Sequence, residues 1–218
     1  MMMFRSNNTI SFGRGWVDPY SWDFVDEVQS QLSIVRKELL AMTQSHQMTA
    51  QTLGYGPRNW ISKELNLPEI SNCVENWIRE GGFHSEQIGY DSRKSGEWQT
   101  LPLFKADLPQ TEALASRYLP NTLKMLNHIP NLQFSAIFKQ PPDAEIAVHR
   151  HSQNRRIFHF LLHSLEGGQA WIQVGNERRQ LSQQGDCLAF DVRTPHGSGN
   201  NSTTDRINLV LDLAMSTD

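Results

Sequence analysis

Residues 155–192 read RRIFHFLLHSLEGGQAWIQVGNERRQLSQQGDCLAFDV, and this stretch decides the fold. Three runs rich in apolar, aromatic and β-branched residues (RRIFHFLLH, GQAWIQV, DCLAFDV) alternate with turn chemistry (LEGG, GNE, QQGD). The runs read as strands, and the intervals are shorter than the roughly dozen residues that a crossover helix needs. The pattern continues on both sides. QFSAIF and EIAVHR precede it, separated by PPDA, and RINLVLDL follows it across GSGNNSTTD, read as a turn of small polar residues. Six such strands within about eighty residues must pair antiparallel, and a double-sheet jelly roll is their natural closure.

Upstream the chain is different. Phe24, Val28, Leu32, Val35, Leu39 and Met42 recur at spacings of three and four, predicting a helix capped by Ser21 and running to about Met42. A second, poorer helix is expected over Ile70–Arg79, and a third over Thr111–His128, broken or kinked at Pro120. GEWQTLPLF, from Gly96 to Phe104, reads as a strand or extended loop. The expected architecture is therefore mainly β, a double-stranded β-helix with flanking N-terminal helices. It forms a single domain over residues 1–218: a helical and irregular buttress over 1–130 and a jelly-roll core over 131–214.

The totals exclude several classes. A 218-residue chain with 38% hydrophobic and 20% charged residues is long enough to bury a sizeable core. Its formal net charge of -3 disfavours nucleic acid and anionic membrane surfaces as partners. No run approaches the roughly 18 apolar residues that a membrane span needs, and the N-terminal MMMFRSNNTISFGRGW lacks a signal-peptide pattern. Cys73 and Cys187 are too few for a disulfide framework. A cytoplasmic protein with reduced thiols is expected, and Cys187, within the strand-like CLAF, reads as a small core filler.

Chemistry concentrates in the β segment, which holds five of the eight histidines: His149, His151, His159, His163 and His196. Residues two apart on a strand share a face, so His149 and His151 can present two imidazoles to one point. His196 follows a later strand, and a roll can bring it to the same mouth as a third metal ligand; scattered structural histidines are the competing reading. On RINLVLDL, alternation separates Ile207, Leu209, Leu211 and Leu213 from Arg206, Asn208, Val210 and Asp212. The aliphatic set belongs between sheet and helices, which turns Arg206 into the roll, where a guanidinium needs an anion. Asp186, Asp191 or Asp212 could supply it. So could a ligand carboxylate gripped bidentately, which would make the ligand a dicarboxylate bound to metal at its other end.

Three segments together resemble the aspartyl/asparaginyl β-hydroxylase family of Fe(II)- and 2-oxoglutarate-dependent oxygenases. They are PPDAEIAVHRH, GDCLAFDVRTPHGSGNNSTTDR with its His and Arg ten residues apart, and the upstream GEWQTLPLF. The likeness spans roughly residues 85–214. It implies that His149 and His196 hold Fe(II), and that Arg206 binds the distal carboxylate of 2-oxoglutarate while the keto-acid end chelates the iron. O₂ is the second cosubstrate, and 2-oxoglutarate leaves as succinate as a C–H bond is hydroxylated. The implied substrates are aspartyl or asparaginyl side chains in peptides and proteins, or free and carrier-bound amino acids. There are two departures. Non-haem iron sites usually add a carboxylate to two histidines, and here His151 stands where many relatives of the wider class have Asp. The family also often carries Arg-x-His on the next strand, contacting the cosubstrate, which makes Arg156 and His159 the implied further 2-oxoglutarate-binding residues, although they are one residue too far apart to share a face without a bulge.

The nearest alternative is a cupin-type dioxygenase or isomerase, cupin-like in fold, with His149, His151 and His196 all on the metal and no 2-oxoglutarate. GDCLAFDVRTPHGSGN resembles a second cupin motif through Gly185, His196 and Asn200, but no carboxylate follows the HxH as the first motif expects. A non-catalytic ligand-binding roll is the third reading. Arg150, Arg155, Arg193 and Lys139 near the expected mouth are candidates to receive a substrate carboxylate, and the loops Thr43–Asn66 and Phe83–Glu97 to cover it.

Overall fold

The computed structural model describes residues 15–45, 84–86, 98–106 and 112–215. Among them, eleven strands run in chain order: β1 (Trp16–Val17), β2 (His84–Glu86), β3 (Trp98–Lys105), β4 (Leu132–Gln140), β5 (Glu145–His149), β6 (Arg155–Leu161), β7 (Ala170–Val174), β8 (Glu177–Leu181), β9 (Cys187–Asp191), β10 (His196–Asn200) and β11 (Arg206–Ala214). A seven-stranded sheet has the order β1-β9-β6-β11-β4-β3-β2 and a four-stranded sheet the order β5-β10-β7-β8. Strands β4 to β11 pass back and forth between the sheets, with only the β7–β8 hairpin staying in one, and pair antiparallel, which is the double-stranded β-helix. Three strands of the larger sheet come from ahead of residue 130, so the region read as a buttress also supplies sheet.

The first helix, α1 (Asp23–Ser45), buries its whole predicted stripe from Phe24 to Met42. Its cap differs from expectation. Ser21 lies inside a 3₁₀ turn, Pro19–Ser21, and Asp18 caps that turn by accepting from Tyr20 N at 3.0 Å. The helix expected over Thr111–His128 is two short ones, α2 (Glu112–Tyr118) and α3 (Pro120–Leu126). Leu119 between them leaves helical geometry at φ -129°, ψ 52°, because proline clashes with a helical residue before it. One buried cluster joins these helices to Phe158 and Phe160 of β6, Cys187 and Ala189 of β9, and Leu209, Leu211 and Leu213 of β11. Burial of a side chain of this size stabilises by about 1.5–3 kcal/mol. A second cluster, including Leu161, Ile172, Val174 and Phe190, fills the roll between the sheets. The helix over Ile70–Arg79, Cys73 and most of the two covering loops lie outside the described residues.

Four strands were not foreseen: β1, β2 (within the expected loop Phe83–Glu97), β8 and β10. ERRQL forms the edge strand β8, which exposes Arg178 and Gln180 and turns Arg179, on the face of buried Leu181, over the Trp16 ring at 4.5 Å. It turns from β7 through Gly175, at φ 57°, the hand a two-residue hairpin loop demands. HGSGN, read as the start of a turn, is β10, a fully buried strand between β5 and β7. Its glycines answer to packing. A Cβ on Gly199 would lie 2.5 Å from the Trp171 ring, and one on Gly197 would lie 2.8 Å from Ile146 O.

Candidate metal centre

The site is built where β5 ends and β10 begins. These strands are antiparallel neighbours, and His196 stands directly opposite His149 in register. His151 lies just past β5, its backbone N–H held by Val192 O at 2.9 Å. The ring centroids are 4.4 Å apart for His149 and His196, 5.2 Å for His149 and His151, and 5.5 Å for His151 and His196. One nitrogen from each ring lies within 4.8 Å of the other two. Imidazole–metal bonds of about 2.1 Å bring such nitrogens closer still, a change that side-chain torsions can supply.

Protonation favours the same use. His149 Nδ1 lies 2.8 Å from Ala147 O, and His196 Nδ1 lies 2.8 Å from Thr194 O. A carbonyl only accepts, so each Nδ1 carries the proton and each Nε2 keeps its lone pair. Burial pushes His196 down to about 4, with the charges of His149 and His151 adding and the Thr194 bond opposing. His151 is lowered by burial and then by His149 and Arg155. Both are therefore neutral at neutral pH, as a ligand must be. A donor set of three imidazoles fits a divalent transition metal.

Deeper in the roll, Arg206 begins β11 with 4% of its surface exposed. Its Nη1 donates to Gln140 Oε1 at 2.9 Å. Each carboxylate that could have neutralised it is engaged elsewhere. Asp186 accepts from Ser182 N and Gln183 N, Asp191 pairs with Arg156 and Arg193, and Asp212 pairs with Arg155. Among the described residues no anion faces Arg206. Burial alone lowers it to about 9, so it remains charged.

His159, on β6, lies between this cation and the imidazole group. It stacks on Phe190 with centroids 5.8 Å apart, and Phe190 in turn lies 4.8 Å from His196. Burial, Arg206 and His196, in that order, hold it well below the ordinary imidazole value. Arg156 is not brought here. β6 keeps an unbroken register with both β9 and β11, so no bulge returns Arg156 to the face of His159. It instead pairs with Asp191 at 2.8 Å. His163 is also elsewhere, past the end of β6 with Nδ1 against Ser164 O. Of the four rim cations, Arg155, Arg193 and Lys139 are paired with Asp212, Asp191 and Asp205, and Arg150 is exposed. A cleft of about 640 Å³ at the β7–β8 turn is lined by Val174, Asn176, Glu177, Arg193 and Pro195, and none of the three imidazoles lines it. Sequence reasoning missed Phe190 and Gln140. Only the register of β4 against β11, which sets Gln140 opposite Arg206, could have singled out the latter.

Comparison with curated proteins gives no match. Among solved structures, a prolyl hydroxylase from Trichoplax adhaerens, in complex with a hypoxia inducible factor peptide fragment, is 12% identical with a TM-score of 0.41, covering 91% of this chain and 94% of its own. A protein described as a predicted oxalate decarboxylase, from Thermotoga maritima, is 16% identical with a TM-score of 0.41, covering 61% and 94%. Both are too remote to carry an argument about chemistry. The profile of the family described as Aspartyl/Asparaginyl beta-hydroxylase, in contrast, matches residues 64–215. That span takes in the three-imidazole group, Arg206 and every strand of the roll, and the chain belongs to the aspartyl/asparaginyl β-hydroxylase family.

Proposed function

We propose that the protein is an Fe(II)- and 2-oxoglutarate-dependent oxygenase that hydroxylates an aspartyl, asparaginyl or related amino-acid side chain, free or within a peptide or protein. The observation that carries this reading is Arg206, a buried cation with no anion facing it among the described residues, in the same roll as the imidazole group. A metal-chelating dicarboxylate answers both features at once.

His149 and His196 would be the metal ligands in this reading, each engaged at Nδ1 by a backbone carbonyl two residues earlier, which leaves Nε2 as the nitrogen that would ligate. His151 adjoins them at the exposed mouth. What bound Fe(II) and 2-oxoglutarate supply is O₂ activation and the insertion of oxygen into an unactivated C–H bond. Arg206 anchors the distal carboxylate. Phe190 and neutral His159 form the dry wall between the two ends, which strengthens the electrostatic grip by excluding water. The amino-acid substrate enters at the mouth, where Arg150 is an exposed cation without a partner among the described residues.

The test is succinate release from 2-oxoglutarate across a panel of amino acids and Asp- or Asn-containing peptides, with mass-spectrometric detection of a gain of one oxygen. Wild type should turn over and His196→Ala should not. A second reading, a three-histidine metal dioxygenase or isomerase of cupin type, is favoured by the nitrogen of His151 lying within the same 4.8 Å. It predicts oxidation or isomerisation of a substrate with no succinate formed and no loss in Arg206→Ala.

A further inference from the structure

We propose that Gln140 and Asn208 are positioning residues for Arg206: two neutral amide oxygens aim its guanidinium and leave its charge and two of its N–H groups to a ligand carboxylate. This rests on the oxygenase reading and deepens it. A guanidinium has five N–H donors. Gln140 Oε1 takes one from Nη1 at 2.9 Å. With the Asn208 amide in the orientation that satisfies its neighbours, its oxygen accepts from Nε at 3.2 Å and Nη2 at 3.0 Å, and its nitrogen donates to Ile207 O at 3.3 Å. That leaves one N–H on Nη1 and one on Nη2, the parallel pair that a carboxylate grips bidentately. His159 Nδ1, 3.4 Å from Nη2, donates to the same Asn208 oxygen at 3.3 Å and consumes no arginine donor.

The amides are themselves held. Gln140 Nε2 donates to Ala144 O at 2.8 Å, which turns Oε1 toward Arg206. Its backbone oxygen accepts from Asn200 Nδ2 at 2.9 Å, and the same Asn200 group reaches Thr204 O at 2.8 Å. The corner where β4, β10 and β11 meet is thereby pinned around the guanidinium. Neutrality is the point of the arrangement. A carboxylate at either position would accept the same hydrogen bonds, but it would cancel the charge and compete with the ligand. Burial with no opposing charge accords with this, since it is the one cause that lowers Arg206.

The experiment uses Asn208→Asp and Gln140→Glu, nearly isosteric, in the full chain loaded with Mn(II) under anaerobic conditions. Calorimetry measures 2-oxoglutarate and 2-oxobutyrate, which shares the chelating keto acid but lacks the distal carboxylate. The expected result is that 2-oxoglutarate binding weakens by at least about tenfold in each variant, while 2-oxobutyrate and Mn(II) affinities stay within about twofold of wild type. Gln140→Glu sets a carboxylate oxygen against Ala144 O, so Asn208→Asp decides if the former does not fold. Equal loss of both keto acids, or loss of neither, overturns the positioning role. Failure of the wild type itself to bind 2-oxoglutarate overturns instead the oxygenase reading beneath it.

Discussion

His196 shows how burial of one side chain sets its protonation. Its folded-state value of about 4 lies below the ordinary 6.5, so the unfolded chain takes up the proton first as pH falls. The metal-free protein should therefore lose stability between about pH 6.5 and 4, with no contribution from this group above that range. The full swing is on the order of 3 kcal/mol. Buried His159 and His151 at the mouth, both lowered, act in the same direction. Glu38 and Asp191, lowered from 4.5 and 3.8, contribute below this window, and burial of Asp212 opposes them. Urea midpoints of the metal-free protein at pH 7.5 and 5 check the claim: a lower midpoint at pH 5 is expected, and His196→Asn should reduce the difference. At this scale the sequence was readable wherever alternation applied. Arg206 and His159 both face into the roll, as strand period two requires. Arg156 faces the other way for the same reason, and the family pattern could not override a regular strand.

At the scale of elements, β10 carries His196 opposite His149 of β5, and sequence reading missed it as a strand. Glycine and serine mark turns because they lack bulk and bond locally. Here the same smallness admits the Trp171 ring against Gly199 and the β5 backbone against Gly197. Gly199→Val should therefore destabilise by about 1–3 kcal/mol through overpacking and weaken metal binding, because His196 begins the same strand. Thermal melts with and without Mn(II) measure both, and a wild-type response to the metal would contradict the link. The helical layer makes an opposite prediction. Leu119 at the N-cap of α3 makes no side-chain cap bond. Glu38 of α1 caps it instead, accepting from Asn121 N and Nδ2 and from Thr122 N and Oγ1 at 2.7–3.0 Å. Burial raises Glu38, but these bonds outweigh it and the net shift is downward. Glu38→Ala should cost about 1–3 kcal/mol in denaturant unfolding and leave metal affinity unchanged. Nothing in local patterning foretold this cap, because its partners are some eighty residues apart.

Across the whole molecule the division of labour follows the two clusters. One fastens helices to the outer face of the larger sheet, and the other lines the roll around a polar track from His196 through His159 to Arg206. Among the described residues no helix is long and apolar enough to cross a membrane. The roll was legible because turns and apolar runs recur faster than crossover helices allow. The polar strands β8 and β10 were not, because hydrophobic pattern is silent where a strand is charged at an edge or made of glycine and serine. The central claim, that this track receives a diacid spanning metal and guanidinium, is tested most directly by titrating 2-oxoglutarate into anaerobic Mn(II)-loaded wild type, metal-free wild type and Mn(II)-loaded Arg206→Ala. The account predicts one site in the loaded wild type, lost without metal and weakened at least about tenfold in the variant, whose Mn(II) affinity is unchanged. Binding that ignores either the metal or Arg206 would contradict it.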